Sequence, residues 1–507
     1  MRIEKFFFLH VLKRECMNQN GSLNKKNLSI AIIGTGFGGL GAAIQLQKNG
    51  FENFTIFEKS NSVGGTWREN SYPGSACDVP SHLYSFSFEP YSDWPRKYSP
   101  QPEILAYLER CAVKYDLVPK IKFGKEIQSA EWDSDKGVWK IHLPQGETAE
   151  YNILISAVGQ LNRPAFPKLK GLDRFSGKLF HSAAWDSSYD FSGKKVAVIG
   201  TGASAIQFIP QIANTGAKVT VFQRTAPWVV SKPDRKYLGL EKLLFKYLPG
   251  YRLLHRFQIY IWNEIRLMAF KKNNPANWIV KWMATSHMRK FIKDPKVRTI
   301  LTPDYPVGCK RILLSNDYYE ALAKPNVTVI SDSIEEVVPE GIKTKDGVLH
   351  SFDVMVFGTG FKATEFLSPM EIKGQNDRNL NEVWKNGAEA YLGLSVAGFP
   401  NFFMLYGPNT NLGHNSIVYM IESQVRYILS ALNTMAEKGF RALSPKPQAM
   451  KKYNEKLNVR FGKFVWDTGC TNWYTNEAGK NTNNWPGHTY EYSRRTKEID
   501  LSEFDLA

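Results

Sequence analysis

Two glycine turns carry the most specific chemistry in this chain. The first, Gly34-x-Gly36-x-x-Gly39, follows the apolar run Leu28 to Ile33 and opens a helical pattern through Gln47. A second apolar run, Phe54 to Phe57, then ends in Glu58. The other turn, Gly200-Thr201-Gly202-x-Ser204-Ala205, repeats that plan after Lys195 to Ile199 and closes with Val219 to Phe222, Gln223 and Arg224. In such turns the first glycine permits the tight bend and the second lets a pyrophosphate approach the backbone. The third allows the helix to pack close on the strand, and alanine is a permitted variant there.

Glu58 lies 24 residues after Gly34, and Arg224 lies 24 residues after Gly200. One structural slot thus holds an acid in the first unit and a guanidinium in the second. A carboxylate there accepts from both hydroxyls of an adenosine ribose and repels a 2′-phosphate, whereas an arginine can grip that phosphate bidentately. The first unit is predicted to hold FAD or NAD and the second to prefer NADPH.

Small residues beside aromatics follow the first unit, in Val63-Gly64-Gly65-Thr66-Trp67-Arg68 and in Tyr72-Pro-Gly-Ser-Ala-Cys-Asp78 through Ser81-His-Leu-Tyr84. Such a mixture suits a slot for a flat ring. Asp78, read as lying among apolar residues, is a candidate for a perturbed carboxylate, although a cap or turn role is the commoner use of such a residue.

The elements that must position these residues give an α/β fold with two Rossmann-like units. Asn152 to Gly159 and Asp353 to Phe361 both read as buried strands ending in small residues, and the second is read as the return to the first unit. The second unit is therefore predicted to be inserted in the first. The expected layout is an N-terminal segment 1–27 without structural signals, a first unit over 28–165, and a second over 166–330 with a helical insertion at about 232–300. Residues 331–507 are then expected to complete the first unit. The predicted boundaries fall in Arg163 to Pro167 and near Lys324 to Thr328.

With 507 residues, 43% of them hydrophobic and 22% charged, the chain can bury a large core, which excludes disordered and collagen-like classes. Cys16, Cys77, Cys111, Cys309 and Cys470 are scattered, with no C-x-x-C pair, so neither a metal site nor a redox dithiol is expected and a cytoplasmic setting is. The run Phe6 to Leu12 is too short for a spanning helix. Net charge is +17, and between Lys232 and Arg298 sixteen Lys/Arg face four Asp/Glu. A solvated basic helix face is the favoured account, nucleic acid is not expected, and peripheral membrane contact stays open as the alternative.

The segment Phe175-Ser-Gly177-Lys-Leu-Phe-His181-Ser-Ala-Ala-Trp185-Asp186 fits F-x-G-x-x-x-H-x-x-x-W-[PD] at every fixed position. With both glycine turns it resembles the class B flavoprotein monooxygenases, and within them the Baeyer-Villiger monooxygenases of the cyclohexanone, phenylacetone and 4-hydroxyacetophenone type. The resemblance runs from about Leu28 to Tyr492. It implies FAD on Gly34, Gly36, Gly39, Glu58, Gly65, Thr66, Trp67, Asp78 and Tyr84. It also implies NADP on Gly200, Thr201, Gly202, Ser204, Ala205 and Gln207, with Arg224, Thr225 and Lys310 taking its 2′-phosphate end. Arg311 would sit over the flavin as the catalytic cation, oriented by Asp78, and His181 would belong to a hinge.

The activity implied is reduction of FAD by NADPH, capture of O2 at flavin C4a and attack of the resulting peroxide on a ketone, giving an ester or lactone. The nearest alternative is an N- or S-oxygenating flavin monooxygenase. A pyridine nucleotide disulfide reductase is excluded, because Cys77 has no cysteine at redox spacing.

Overall fold

The computed structural model describes residues 24–469 and 472–507. The N-terminal segment therefore lies outside the described residues apart from 24–27, as do Cys16 and Cys470.

Continuous apolar runs need cover on both faces, and here they form parallel sheets. The first sheet has the order Phe402–Met404, Ile153–Ser156, Ile30–Ile33, Phe54–Phe57, Ile121–Lys122. Its central strand Ile30–Ile33 is buried throughout and pairs in register with Phe54–Phe57 on one side and Ile153–Ser156 on the other. The second sheet has the order Val327–Ile330, Lys218–Phe222, Lys195–Ile199, Val354–Phe357, Lys178–His181. The chain leaves the first sheet after Ser156, builds the second and comes back at Phe402, so the second unit is inserted in the first.

The second boundary differs from the expected one. Val327–Ile330 is hydrogen-bonded to Val219–Phe222, and Val354–Phe357 lies against Lys195–Ile199, so the inserted unit runs on past residue 330. Val337, Ile342, Phe352, Met355 and Phe357 close a core with Ala197 and Ile199. The run at 353–361 is thus the return strand of the second sheet; the chain is back in the first unit at Glu371–Lys373, paired with Ser129–Glu131, and rejoins the first sheet at Phe402–Met404. Ile153–Ser156 and Val354–Phe357 play the same role in their own sheets, and a buried apolar run does not by itself say which sheet it joins.

The two crossings between units lie side by side at 163–165 and 360–362. Ala165 N donates to Gly360 O at 2.9 Å and Lys362 N to Arg163 O at 2.9 Å. His181, at the end of the neighbouring edge strand, is buried against Phe166 and Phe361, with ring centroids 5.3 and 5.9 Å away. Burial holds its imidazole pKa below the usual value. Cys77 and Cys111 are free and buried, whereas Cys309 is disulfide-bonded, a departure from the fully reduced thiols a cytoplasmic setting leads one to expect.

The insertion folds as helices Gly239–Tyr247, Tyr251–Ile265, Pro275–Phe291 and Pro295–Ile300. It docks on the first unit around His82, whose ring meets Phe245 at 4.2 Å and His255 at 5.3 Å, while Arg256 donates to His82 O at 2.6 Å. Burial, reinforced by His255 and nearby arginines, lowers the His82 pKa to about 3. The folded protein keeps His82 neutral, while the unfolded chain takes up a proton below about 6.5. Stability is therefore lost as pH falls through that value, by about 2 kcal/mol between pH 7 and pH 5. Urea unfolding at the two pH values checks this, and His82→Phe should reduce the difference.

Candidate active site

The first turn is built so that only glycine fits. Gly34 has φ +100°, and a Cβ there would lie 2.9 Å from Ala157 O. A Cβ on Gly39 would lie 1.8 Å from Gly34 O. Gly36 faces Gly65, whose Cβ would come within 3.1 Å of Gly36 Cα, so two bare backbones form a cradle. The helix Phe37–Lys48 starts there with no capping side chain and no acid in its first turn, which leaves its dipole and amides for a pyrophosphate. Gly39→Ala should therefore yield protein without bound flavin, visible as loss of the yellow absorbance.

Glu58 is buried and fixed. Its Oε2 accepts from Thr35 N at 3.0 Å and Thr35 Oγ1 at 2.6 Å, and its Oε1 accepts from Ser60 N at 3.0 Å. Thr66 opens the short helix after Gly65, and the Trp67 indole donates to Tyr84 Oη at 3.2 Å. These residues and the Gly36–Gly65 cradle fit FAD.

In the second unit Gly200 has φ +101°, and a Cβ there would lie 2.7 Å from Gly358 O. Ala205 is tolerated because glycine stands opposite: a Cβ on Gly358 would fall 2.8 Å from Ala205 Cβ. Ser204 leads into the helix Ala205–Asn214, again with no capping side chain and no first-turn acid. Thr201 Oγ1 donates to Thr225 O at 3.3 Å.

Arg224 is exposed. Lys310 stands over the Tyr305 ring at 4.6 Å, and its pKa is lowered first by burial and then by the charge of Arg224. Two neighbouring cations that repel each other make a spot suited to an anionic group. Gln207 is committed differently from the expected cofactor contact: its amide accepts from Tyr72 Oη at 2.9 Å and donates to Ala76 O at 3.0 Å, tying the two units together.

Asp78 is not in the apolar setting expected for it. Its Oδ2 lies 3.2 Å from Arg311 Nη2, and its Oδ1 3.5 Å from Lys232 Nζ. Asp78 and Lys232 are 13% and 11% exposed, whereas Arg311 keeps 36%, so the guanidinium is the member that reaches open space. Burial works against the Arg311 charge, but Asp78, aided by Tyr474, Tyr406 and Cys77, raises its pKa above the usual value. Tyr406 adopts φ +60°, uncommon for a bulky residue. It is held by Tyr406 Oη donating to Asn411 Oδ1 at 2.6 Å and Tyr406 N donating to Gln424 Oε1 at 2.9 Å. Sequence reasoning missed Lys232, Tyr406 and Tyr474. Lys232 was counted with the basic insertion, and its only signal was its place at the edge of that run.

The Phe175 to Asp186 segment is architectural. A Cβ on Gly177 would strike Asp353 O at 2.5 Å and the Phe175 ring at 2.6 Å. Trp185 packs on Phe208 at 5.3 Å and Tyr72 at 6.4 Å, bridging the units. Asp186, half-buried, accepts from Ser188 and pairs with Lys178 at 3.0 Å, which lowers its pKa to about 2. A cavity of about 540 Å³ opens between the units, lined by Tyr72, Gly74, Gln207, Lys232 and Asn316 among others. Among the described residues no His/Cys/Asp/Glu group could hold a metal, and no helix is long and apolar enough to cross a membrane.

The chain matches the flavin-binding monooxygenase-like family over residues 25–380. It is 45% identical over 483 residues to a Baeyer-Villiger monooxygenase of Streptomyces coelicolor, covering 95% of this chain and 93% of that one. It superposes on the closed crystal structure of cyclohexanone monooxygenase with TM-score 0.86 and 30% identity, covering 95% of this chain and 99% of that one. OTEMO in complex with FAD and NADP gives TM-score 0.86 at 28% identity, covering 96% and 100%. With two uncapped glycine turns and a parallel sheet for each, the chain belongs to the flavin-binding monooxygenase-like family, among its Baeyer-Villiger monooxygenases, as an NADPH-dependent flavoprotein that works with FAD.

Proposed function

We propose that the protein inserts one oxygen atom of O2 into a small-molecule ketone to give an ester or lactone, with Arg311 as its catalytic cation. The observation that carries this reading is the Asp78–Arg311 pair, with Lys232 on the other carboxylate oxygen. FAD reduced by NADPH supplies the activation of O2 when bound.

The chain's own residues supply position and charge. Gly34, Gly36, Gly39 and Gly65 admit the pyrophosphate, Glu58 takes the ribose, and Arg224 with Lys310 takes the 2′-phosphate. Asp78 and Lys232 fix the direction in which Arg311 points. A guanidinium does not give up its proton, so it acts as a permanent charge rather than an acid. That favours carbonyl attack, in which negative charge builds on oxygen, and an N- or S-oxygenation has no equal need of it. His181 and Trp185 pack at the junction of the two units, which supports a hinge role for this segment. The cytoplasm, where NADPH is supplied, is the proposed setting.

The test is turnover of the FAD-loaded protein with NADPH, O2 and either cyclohexanone or phenylacetone, with products identified by mass spectrometry. Lactone or ester is the expected product. Oxidation of thioanisole or N,N-dimethylaniline with no ester from either ketone would transfer the assignment to heteroatom oxygenation.

A further inference from the structure

The helical insertion shows a surface that the site does not use. Among the described residues, sixteen of the twenty-four exposed large apolar side chains fall within 238–300, about an eighth of the chain. Scattered exposed apolar residues are ordinary, but this concentration is not. On the helix Tyr251–Ile265, the exposed Leu254, Phe257, Ile261 and Ile265 follow at intervals of three and four, which makes one stripe. On the helix Pro275–Phe291, Trp278 and Trp282 lie one turn apart at 81% and 70% exposure.

The same segment holds the charge surplus. Of the thirteen Lys/Arg within 238–300, only Arg256 and Lys272 lie within 4 Å of a carboxylate among the described residues. Among the others, Lys281, Lys290, Lys293 and Lys296 are exposed, so the segment that shows the apolar stripes is also strongly positive.

This combination selects its partner. A second copy docked through this face in a symmetric dimer would set a surplus of ten positive charges against itself. A nucleic acid backbone would satisfy the cations but leave the tryptophans and leucines in water. A bilayer with anionic lipids satisfies both, because amphipathic helices lie in the interface with their apolar face at the acyl boundary and their cations among the headgroups. Tryptophan is favoured at that depth. No helix here can span, so the contact is in-plane.

We propose that the 239–300 insertion seats this protein on an anionic phospholipid surface. The apolar stripes enter the acyl boundary, and the lysines and arginines meet the headgroup phosphates.

Flotation of the FAD-loaded full chain with vesicles tests this, using phosphatidylcholine alone and phosphatidylcholine with an equal share of phosphatidylglycerol. Binding is expected to the anionic vesicles and to fall by about tenfold or more on neutral ones or at high salt. Two variants, Trp278→Ser/Trp282→Ser and Lys290→Glu/Lys293→Glu/Lys296→Glu, should each lower it by about tenfold or more. Bound flavin and NADPH oxidation should be unchanged in both, which shows that they fold. Absence of binding to anionic vesicles overturns the proposal, as does binding that neither variant reduces. Equal binding to neutral vesicles removes the role of charge. A dimer in light scattering that becomes monomeric in the tryptophan variant, with no vesicle binding, assigns the face to a second copy.

Discussion

Replacing Arg311 by alanine should lower ester formation by about 100- to 1,000-fold, the loss seen when one fixed charge or donor is removed from a site where negative charge develops. FAD should remain bound, because the Gly36–Gly65 cradle and Glu58 that hold it belong to other segments. NADPH should still be consumed, with hydrogen peroxide replacing ester as the product. The separation of these readouts makes the test specific, since a folding defect would lose all of them together. Ester formation at the wild-type rate would show that the reacting oxygen does not sit beside this guanidinium.

Asp78 and Lys232 refine the same expectation. Asp78 carries a cation on each oxygen, so Asp78→Ala leaves two partly buried positive charges facing each other without their carboxylate. Arg311 should then lose its direction rather than its charge, and the product ratio of ester to peroxide should fall with kcat while KM for NADPH holds. Lys232→Met removes the outer cation only and should have the smaller effect.

The residues of the two glycine turns were legible in sequence because their constraint is local. Gly34 and Gly200 hold φ near +100°, and a Cβ on Gly39 would strike Gly34 O five residues back, so these demands leave a fixed spacing. The pairing of the return strands was not legible. Val354–Phe357 and Ile153–Ser156 carry the same apolar pattern, and the choice of sheet is made by long-range hydrogen bonding. The site shows the same division. Asp78 and Arg311 became visible through a motif, but Lys232 reaches Asp78 from a basic run whose charge gave no sign of an inward-facing member. Gln207 has the right place at the head of its helix, yet its amide is spent on Tyr72 and Ala76, a contact 131 or more residues away in the chain.

The selection of NADPH over NADH should rest on Arg224 and Lys310 as a pair. Charge-assisted hydrogen bonds to phosphate contribute roughly 1.5–3 kcal/mol each, so Arg224→Ala should raise KM for NADPH by about 10- to 100-fold. KM for NADH, which has no 2′-phosphate, should change by less than about twofold. The pH dependence carries a further consequence. Lys310 is held below the ordinary lysine pKa by burial and then by the charge of Arg224, so it loses its proton, and the phosphate loses a partner, earlier on the alkaline side than an ordinary lysine would. Affinity for NADPH should therefore fall as pH rises through that range, while affinity for NADH does not follow it. Removing Arg224 withdraws one of the two causes, so in the variant the fall should move to higher pH even though binding is weaker throughout. Steady-state KM values for both dinucleotides across the alkaline range measure this directly. Equal losses for NADPH and NADH, or an alkaline limb that stays in place in Arg224→Ala, would mean that the two cations do not share one phosphate.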